Sequence, residues 1–311
     1  MNKEQLVFIV GPTAVGKSAV ALALANRIGG EIISCDSMQV YKEIHIMNNK
    51  PSSEERGEAA HHLLDCVSVE EEFDVVRYSR LATKTIEDIL KRSAIPIIVG
   101  GSGLYMSILL DGIFDTQSNP EVREELMQEA EQTGVLALYK QLKEVDPQAA
   151  AKIHPNDSRR IIRALEVYQA SHRPISEWQK ERTGLWGQYH IQVFGLNRPR
   201  QELYERINQR VEEMFANGLV EEIKKLSQFA LSPTAKKTIG LEEVQGYLDK
   251  KYSLEETKKK MQQNTRHYAK RQLTWFRKDK RIEWIELQKD SSSENIAEAL
   301  THYLYHEQRS H

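Results

Sequence analysis

The chain predicts an α/β fold: a P-loop-containing parallel sheet core covered by helices, with an all-helical insertion domain. Three observations predict it. An apolar segment, Gln5-Leu-Val-Phe-Ile-Val10, runs into Gly11-Pro12-Thr13-Ala14-Val15-Gly16-Lys17-Ser18, which fits G-x-x-x-x-G-K-[ST] without mismatch and is followed by strong helix formers. Two further apolar segments, 31–35 and 95–99, alternate with helical patterns, as parallel sheets covered on both faces require. From about Asp115 the texture changes, and residues 119–183 show only helical patterns.

The elements follow in order. Leu6–Val10 reads as the first strand. Ser18–Ile28 reads as a helix stopped by Gly29-Gly30, since glycine just past the last turn commonly ends a helix. Glu31–Cys35 is a second strand ending in Asp36. Val75–Arg92 places Tyr78, Leu81, Ile86, Ile89 and Leu90 at helical spacing. Ile95–Val99 is a third strand, followed by Gly100-Gly101-Ser102-Gly103. Breakers at Asn119-Pro120, Gly134, Asp146-Pro147 and Arg173-Pro174 divide the helical stretch. Tyr189–Leu196 is strand-like and returns the chain to the sheet. Helices are expected over 200–216, 219–229, 241–248 and about 254–278, with a last short strand at Ile282–Glu286. The core is thus expected over 1–117 and 196–311, with the insertion over 118–195.

Composition narrows the class. The chain has 311 residues, 40% hydrophobic and 28% charged, enough apolar content for a substantial core. The first strand begins almost at the N-terminus, leaving no room for a signal peptide, and no apolar run would span a bilayer. The two cysteines, Cys35 and Cys66, form no metal or disulfide pattern and suit a reducing, cytoplasmic setting. Nothing calls for an oligomer, so a monomer is the default. The net charge of −2 hides an asymmetry: residues 258–281 hold ten Lys or Arg against Asp279 alone, a net +9, so the remainder carries −11. Such a split points to a localised polyanion-binding surface.

The phosphate loop turns backbone N–H groups inward at a helix N-terminus and so cradles a di- or triphosphate. Lys17 would bind the terminal phosphate oxygens and the Ser18 hydroxyl a Mg²⁺ ion. A hydrolytic NTPase normally ends a second apolar strand in Asp. Here Ile95–Val99 ends in glycines, which disfavours a motor or GTPase. The acid is Asp36, on the neighbouring strand, where it can be either a general base on an incoming nucleophile or a turn-forming acid. Ser37 and Gln39 add hydrogen-bonding groups, and the Gln39 amide can pair with an adenine edge. Ser102 can touch a phosphate or a base, or simply shape its turn.

GPTAVGKS, DSMQVY at 36–41, GGSGLY at 100–105, HPNDSRRIIRALEVY at 154–168, KKTIGLEE at 236–243 and RHYAKRQLTWFR at 266–277 occur in that order. Together they resemble the bacterial tRNA isopentenyltransferase (tRNA dimethylallyltransferase) family over nearly the whole chain. Ser18 and Ser102 stand where that family more often has Thr. The resemblance implies transfer of a dimethylallyl group from dimethylallyl diphosphate to N6 of an adenine in the tRNA anticodon stem-loop. It implies Asp36, Lys17 and Arg123 as catalytic residues, the loop 11–18 on the diphosphate, and Mg²⁺ on Ser18. It also implies tRNA contacts from Asp36, Ser37, Met38, Gln39, Ser102, Arg123, Arg159, Arg160, Ile161, Ile162 and Arg163. Lys270 and Arg271, in the basic helix, would pair with tRNA phosphates. Arg206 and Arg210 form a weaker second basic stripe, and the insertion is placed to close as a lid. The alternatives are a small-molecule kinase, a prenyltransferase acting on free adenine nucleotides, and a non-catalytic RNA-binding protein.

Overall fold

The computed structural model describes residues 4–114 and 119–306. Its centre is a six-stranded sheet with every paired neighbour parallel. The strands are β1 (Gln5–Val10), β2 (Gly30–Ser34), β3 (His61–His62), β4 (Ile95–Gly100), β5 (His190–Asn197) and β6 (Ile282–Glu286), in the order β3-β2-β4-β1-β5-β6. Five of the six residues of β1 and of β4 are buried, as expected for strands covered on both faces.

The helices through the insertion are α1 (Lys17–Ile28), α2 (Ser53–Glu58), α3 (Val75–Lys91), α4 (Gly103–Asp111), α5 (Pro120–Thr133), α6 (Val135–Val145), α7 (Pro147–Ala150), α8 (Ser158–Ser171) and α9 (Ile175–Trp178). After β5 come α10 (Arg200–Ala216), α11 (Leu219–Leu226), α12 (Leu241–Leu248), α13 (Leu254–Phe276) and α14 (Ser293–His306). Among the described residues no helix is long and apolar enough to cross a membrane.

Helix α1 starts after Gly16, whose φ of 113° suits glycine, and ends at Gly29 (φ 64°), whose N–H closes on the Ala25 carbonyl. Its buried face, Val20, Ala21, Leu24 and Ala25, joins one core with Val7, Ile9, Phe194, Ala297 and Leu300.

The chain divides into two compact units, Met1–Leu109 with Trp186–His311, and Leu110–Leu185. The second unit has its own core around Leu126, Leu138, Leu142, Ile161 and Leu165. The expected amino-terminal insertion boundary, Asp115 to residue 118, lies outside the described residues. The expected carboxyl-terminal boundary at 195 is corrected to 185, because 190–197 pairs with β1 and belongs to the sheet. The two-residue strand β3 and the short helix α2 were not anticipated; each is too short to carry a hydrophobic period.

Gly100 ends β4 where it crosses the end of β2, and a Cβ there would collide with the Cys35 carbonyl. Gly100→Ala should therefore cost about 1–3 kcal/mol or more through overpacking. Urea unfolding should show this as a lower midpoint with an unchanged slope; an unmoved midpoint would mean that the two strands part freely at this point.

Candidate active site

The connection from β1 skips one position to β2 and returns between them to β4. This brings three sequence-distant turns to one carboxyl edge of the sheet: 11–16, 35–41 and 101–102. Ligands bind at such an edge in open parallel sheets. There a cavity of about 410 Å³ is lined by Lys17, Ser18, Asp36, Gln39, Arg210 and Tyr268, among others.

The phosphate loop is fastened at several points. Gly11 lies so close to β5 that a Cβ would stand 2.6 Å from the Leu196 carbonyl oxygen. No side chain caps α1, so the N–H groups of its first turn remain available to an anion. Three arginines that follow β5 bond the loop, two of them, Arg206 and Arg210, from within the cavity lining. Arg198 Nε donates to the Val15 carbonyl at 2.9 Å, Arg206 Nε to the Ala14 carbonyl at 2.9 Å, and Arg210 Nη1 to the Thr13 hydroxyl at 2.9 Å. Gln272 of α13 accepts the Thr13 N–H (2.8 Å) and donates to the Gly101 carbonyl (2.9 Å), tying the loop to the end of β4.

The charges inside this frame are unbalanced. Lys17 Nζ donates to the Pro12 carbonyl at 2.7 Å. Burial brings its pKa down to about 8; Asp36 opposes that shift and Arg210 adds to it. Burial likewise lowers Arg210 to about 10, against the pull of Asp36 and then Glu213. Arg210 Nε is buried without a partner among the described residues. Burial, and then Asp36, push the Tyr268 hydroxyl upward, so it stays protonated. Two desolvated cations beside one carboxylate make a site that an anion would complete.

Asp36 Oδ1 accepts the Met38 N–H at 2.9 Å, an Asx turn, so the turn-acid reading holds for one carboxylate oxygen. Ser102 Oγ accepts the Ser37 N–H at 3.2 Å and Ser102 N–H donates to the Cys35 carbonyl at 3.2 Å, which fastens the two turns together. Gln39 also lines this cavity. Its amide accepts from the Ser34 hydroxyl (2.8 Å) and donates to the Asn48 and Asn49 carbonyls, so both ends are occupied and it shapes the turn. The Met38 carbonyl accepts from Asn48 Nδ2 at 2.6 Å, and its side chain lines a second cavity of about 310 Å³ with Met47, Met214, Met261, Asp36 and Arg210.

Lys270 and Arg271 are exposed on α13. Arg123, Arg159, Arg160 and Arg163 belong to the helical unit. Arg123 is exposed on α5 and forms no ion pair among the described residues; Arg160 pairs with Asp157 at 3.4 Å and Arg163 with buried Glu166 at 3.1 Å. Ile161 and Ile162 are corrected: 0% and 8% exposed, they are core of that unit, so only the arginines of the 159–163 run offer groups to a ligand.

Sequence reasoning missed Arg198 and Gln272 and undervalued Arg206 and Arg210. The available signal was helical: Arg206 and Arg210 flank the buried stripe Leu203, Ile207, Val211 and Met214 one turn apart, which turns them toward the sheet edge.

The family model for IPP transferase matches residues 39–279. The tRNA dimethylallyltransferase of Geobacillus thermodenitrificans is 47% identical over 289 residues, 91% of each chain. That of Halothermothrix orenii is 43% identical over 290 residues, 92% of this chain and 88% of its own. The crystal structure of the full-length tRNA isopentenylpyrophosphate transferase from Bacillus halodurans matches with a TM-score of 0.71 at 38% identity, covering 99% of both chains. A eukaryotic dimethylallyltransferase described as acting on tRNA matches with a TM-score of 0.82 at 32% identity, covering 97% of this chain and 79% of its own.

Lys17 is protonated below about pH 8 and loses its charge above it, so the site's affinity for a diphosphate should fall as pH rises from about 8. Calorimetric titration with inorganic pyrophosphate measures this. Pyrophosphate itself gains charge over the same range, so the quantity to read is the affinity ratio of the wild type to Lys17→Met. That ratio should shrink toward one by about pH 10; a constant ratio would take Lys17 out of anion binding.

Proposed function

The chain belongs to the IPP transferase family, and from that premise we propose that it transfers a dimethylallyl group from dimethylallyl diphosphate to N6 of an adenine beside the tRNA anticodon. The observation that carries this reading is the convergence of Lys17, Arg210 and Asp36 on one cavity, in the unit whose helix α13 presents exposed cations.

In this reading the diphosphate takes the first-turn N–H groups of α1, the Lys17 ammonium and the free Arg210 Nε–H. The N6 lone pair attacks the allylic carbon, the carbon–oxygen bond breaks, and its electron pair leaves with the diphosphate. Charge builds on that leaving group, where fixed cations already stand. The proton lost by N6 passes to Asp36, whose second carboxylate oxygen is outside the Asx turn. An adenine inside a loop must be extruded to reach this cavity. Ser102 and Ser37 stand beside Asp36, and the arginines Arg123, Arg159, Arg160 and Arg163 offer the helical unit's contacts to RNA.

The donor set fits Mg²⁺ only together with the substrate. Ser18 is exposed at the start of α1 and lines the same cavity as Asp36, and no cluster of three His, Cys, Asp or Glu that could hold a metal occurs among the described residues. Mg²⁺ would be held by the Ser18 hydroxyl and diphosphate oxygens, and would supply charge neutralisation on the leaving group.

Incubation with Mg²⁺, unmodified tRNA and dimethylallyl diphosphate, followed by nucleoside mass analysis, should yield an adenosine heavier by one five-carbon prenyl unit. The product should be lost in Lys17→Ala; no product with the wild type refutes the reading. Asp36→Ala should lower turnover by roughly 10²–10⁴-fold with tRNA affinity changed far less, and near-normal turnover would remove it as the base. Lys270→Ala and Arg271→Ala should each weaken tRNA binding and reduce the log–log salt slope by about one; an unaltered slope would mean that these charges meet no phosphate.

A further inference from the structure

Helix α13 carries a line of side chains at helical spacing from the cavity to the surface. Tyr268 lines both cavities with Asp36. Gln272, one turn on, holds the phosphate loop and the Gly101 carbonyl. Trp275 comes next. Its indole lies against the backbone of Gly103, where a Cβ would collide with Cδ1 and Nε1 of the ring. Gly103 directly follows Ser102, the residue fastened to the Asp36 turn.

Despite this packing, Trp275 is 38% exposed, and its indole N–H donates no hydrogen bond among the described residues. The neighbouring Leu104 is 49% exposed. Around Trp275 on the same helix and just beyond it, Arg271, Arg277, Lys278 and Lys280 are exposed as well. An aromatic side chain packed on Gly103, partly open to solvent and flanked one turn either way by the exposed cations Arg271 and Lys278 is suited to an unpaired nucleobase with its phosphates. Protein recognition of single-stranded RNA uses this pairing of stacking surface and charge.

We propose that Trp275 is the stacking platform for a loop nucleobase next to the extruded adenine, and so positions the tRNA. This rests on the reading of the chain as acting on tRNA. Stacking leaves the diphosphate subsite untouched, so the role separates cleanly in kinetics.

The test uses the full chain in three forms: wild type, Trp275→Leu and Trp275→Phe. Trp275→Leu should raise KM for tRNA roughly 5- to 150-fold, the range for loss of one stacked base, with KM for dimethylallyl diphosphate unchanged; Trp275→Phe should recover most of the loss. An unchanged KM for tRNA in Trp275→Leu overturns the proposal. So does a parallel rise in both KM values that Phe does not rescue, which would mark a packing role at Gly103. A second measurement does not depend on catalysis. In a variant with Trp178, Trp186 and Trp284 replaced by Phe, an anticodon stem-loop RNA should quench the remaining indole fluorescence. Absence of quenching at saturating RNA refutes stacking. Quenching without any prenyl product from the wild type would support stacking while defeating the transferase reading.

Discussion

Gln272 is the joint on which the site depends. A single buried amide accepts the Thr13 N–H and donates to the Gly101 carbonyl, so it closes the gap between the phosphate loop after β1 and the turn after β4. Both bonds are needed in opposite senses. A glutamate at this position would present no donor to Gly101, and a leucine would leave a buried N–H and a buried carbonyl unpaired, each costing about 1–3 kcal/mol. The same residue belongs to α13, the helix that carries the exposed cations. The surface proposed to grip RNA and the loop proposed to grip diphosphate are therefore parts of one rigid assembly, and a base positioned on α13 would be positioned relative to Lys17 and Asp36.

That rigidity permits a strained electrostatic state. Lys17 and Arg210 are cations drawn out of water that Asp36, and for Arg210 also Glu213, offset only in part, and burial lowers the pKa of both. A flexible loop would relieve this by swinging the side chains into solvent. Here the loop's carbonyls at Ala14 and Val15 are bonded to Arg206 and Arg198, and Thr13 is held twice, by Arg210 and by Gln272. The cost of desolvating the cations is carried by the fold, and an arriving anion would recover it. Preorganised charge of this kind favours the state with most negative charge, which in the proposed reaction is the departing diphosphate.

Local patterns were the legible part of the sequence. The motif at 11–18, with an apolar strand before it and helix formers after it, set β1, the loop and α1, while the turns at Asp36 and Gly100–Gly103 could be brought to the same edge by parallel topology alone. What escaped was non-local. Gln272 is one polar residue in a basic run, and nothing in its neighbourhood signals two bonds across more than 170 positions. Arg198 follows a strand and looks like an ordinary surface cation, yet it is 7% exposed and reaches back to Val15. Gln39 read as a free recognition amide because the Asn48 and Asn49 carbonyls that occupy it belong to an irregular segment with no hydrophobic period. The carboxyl end of the insertion lies ten residues earlier than the pattern of helices predicts, because the strand at 190–197 pairs with β1 and belongs to the sheet.

The glycines after β4 also explain which chemistry this phosphate loop is spared from. A nucleotide-hydrolysing relative of the fold needs an acid at the end of such a strand to help hold Mg²⁺ and position water. Here the space that a side chain on Gly100 would need is taken by the Cys35 carbonyl, and the space on Gly101 by the Gln272 amide. An acid could enter neither position without separating β2 from β4 or releasing the joint at Gln272. The carboxylate that acts on both Lys17 and Arg210 is displaced by a strand to Asp36, and it is fixed by its turn to Met38. Moving the acid away from the place where it would serve a water and toward the open edge suits it to a nucleophile that arrives from outside, as a base swung out of an RNA loop would.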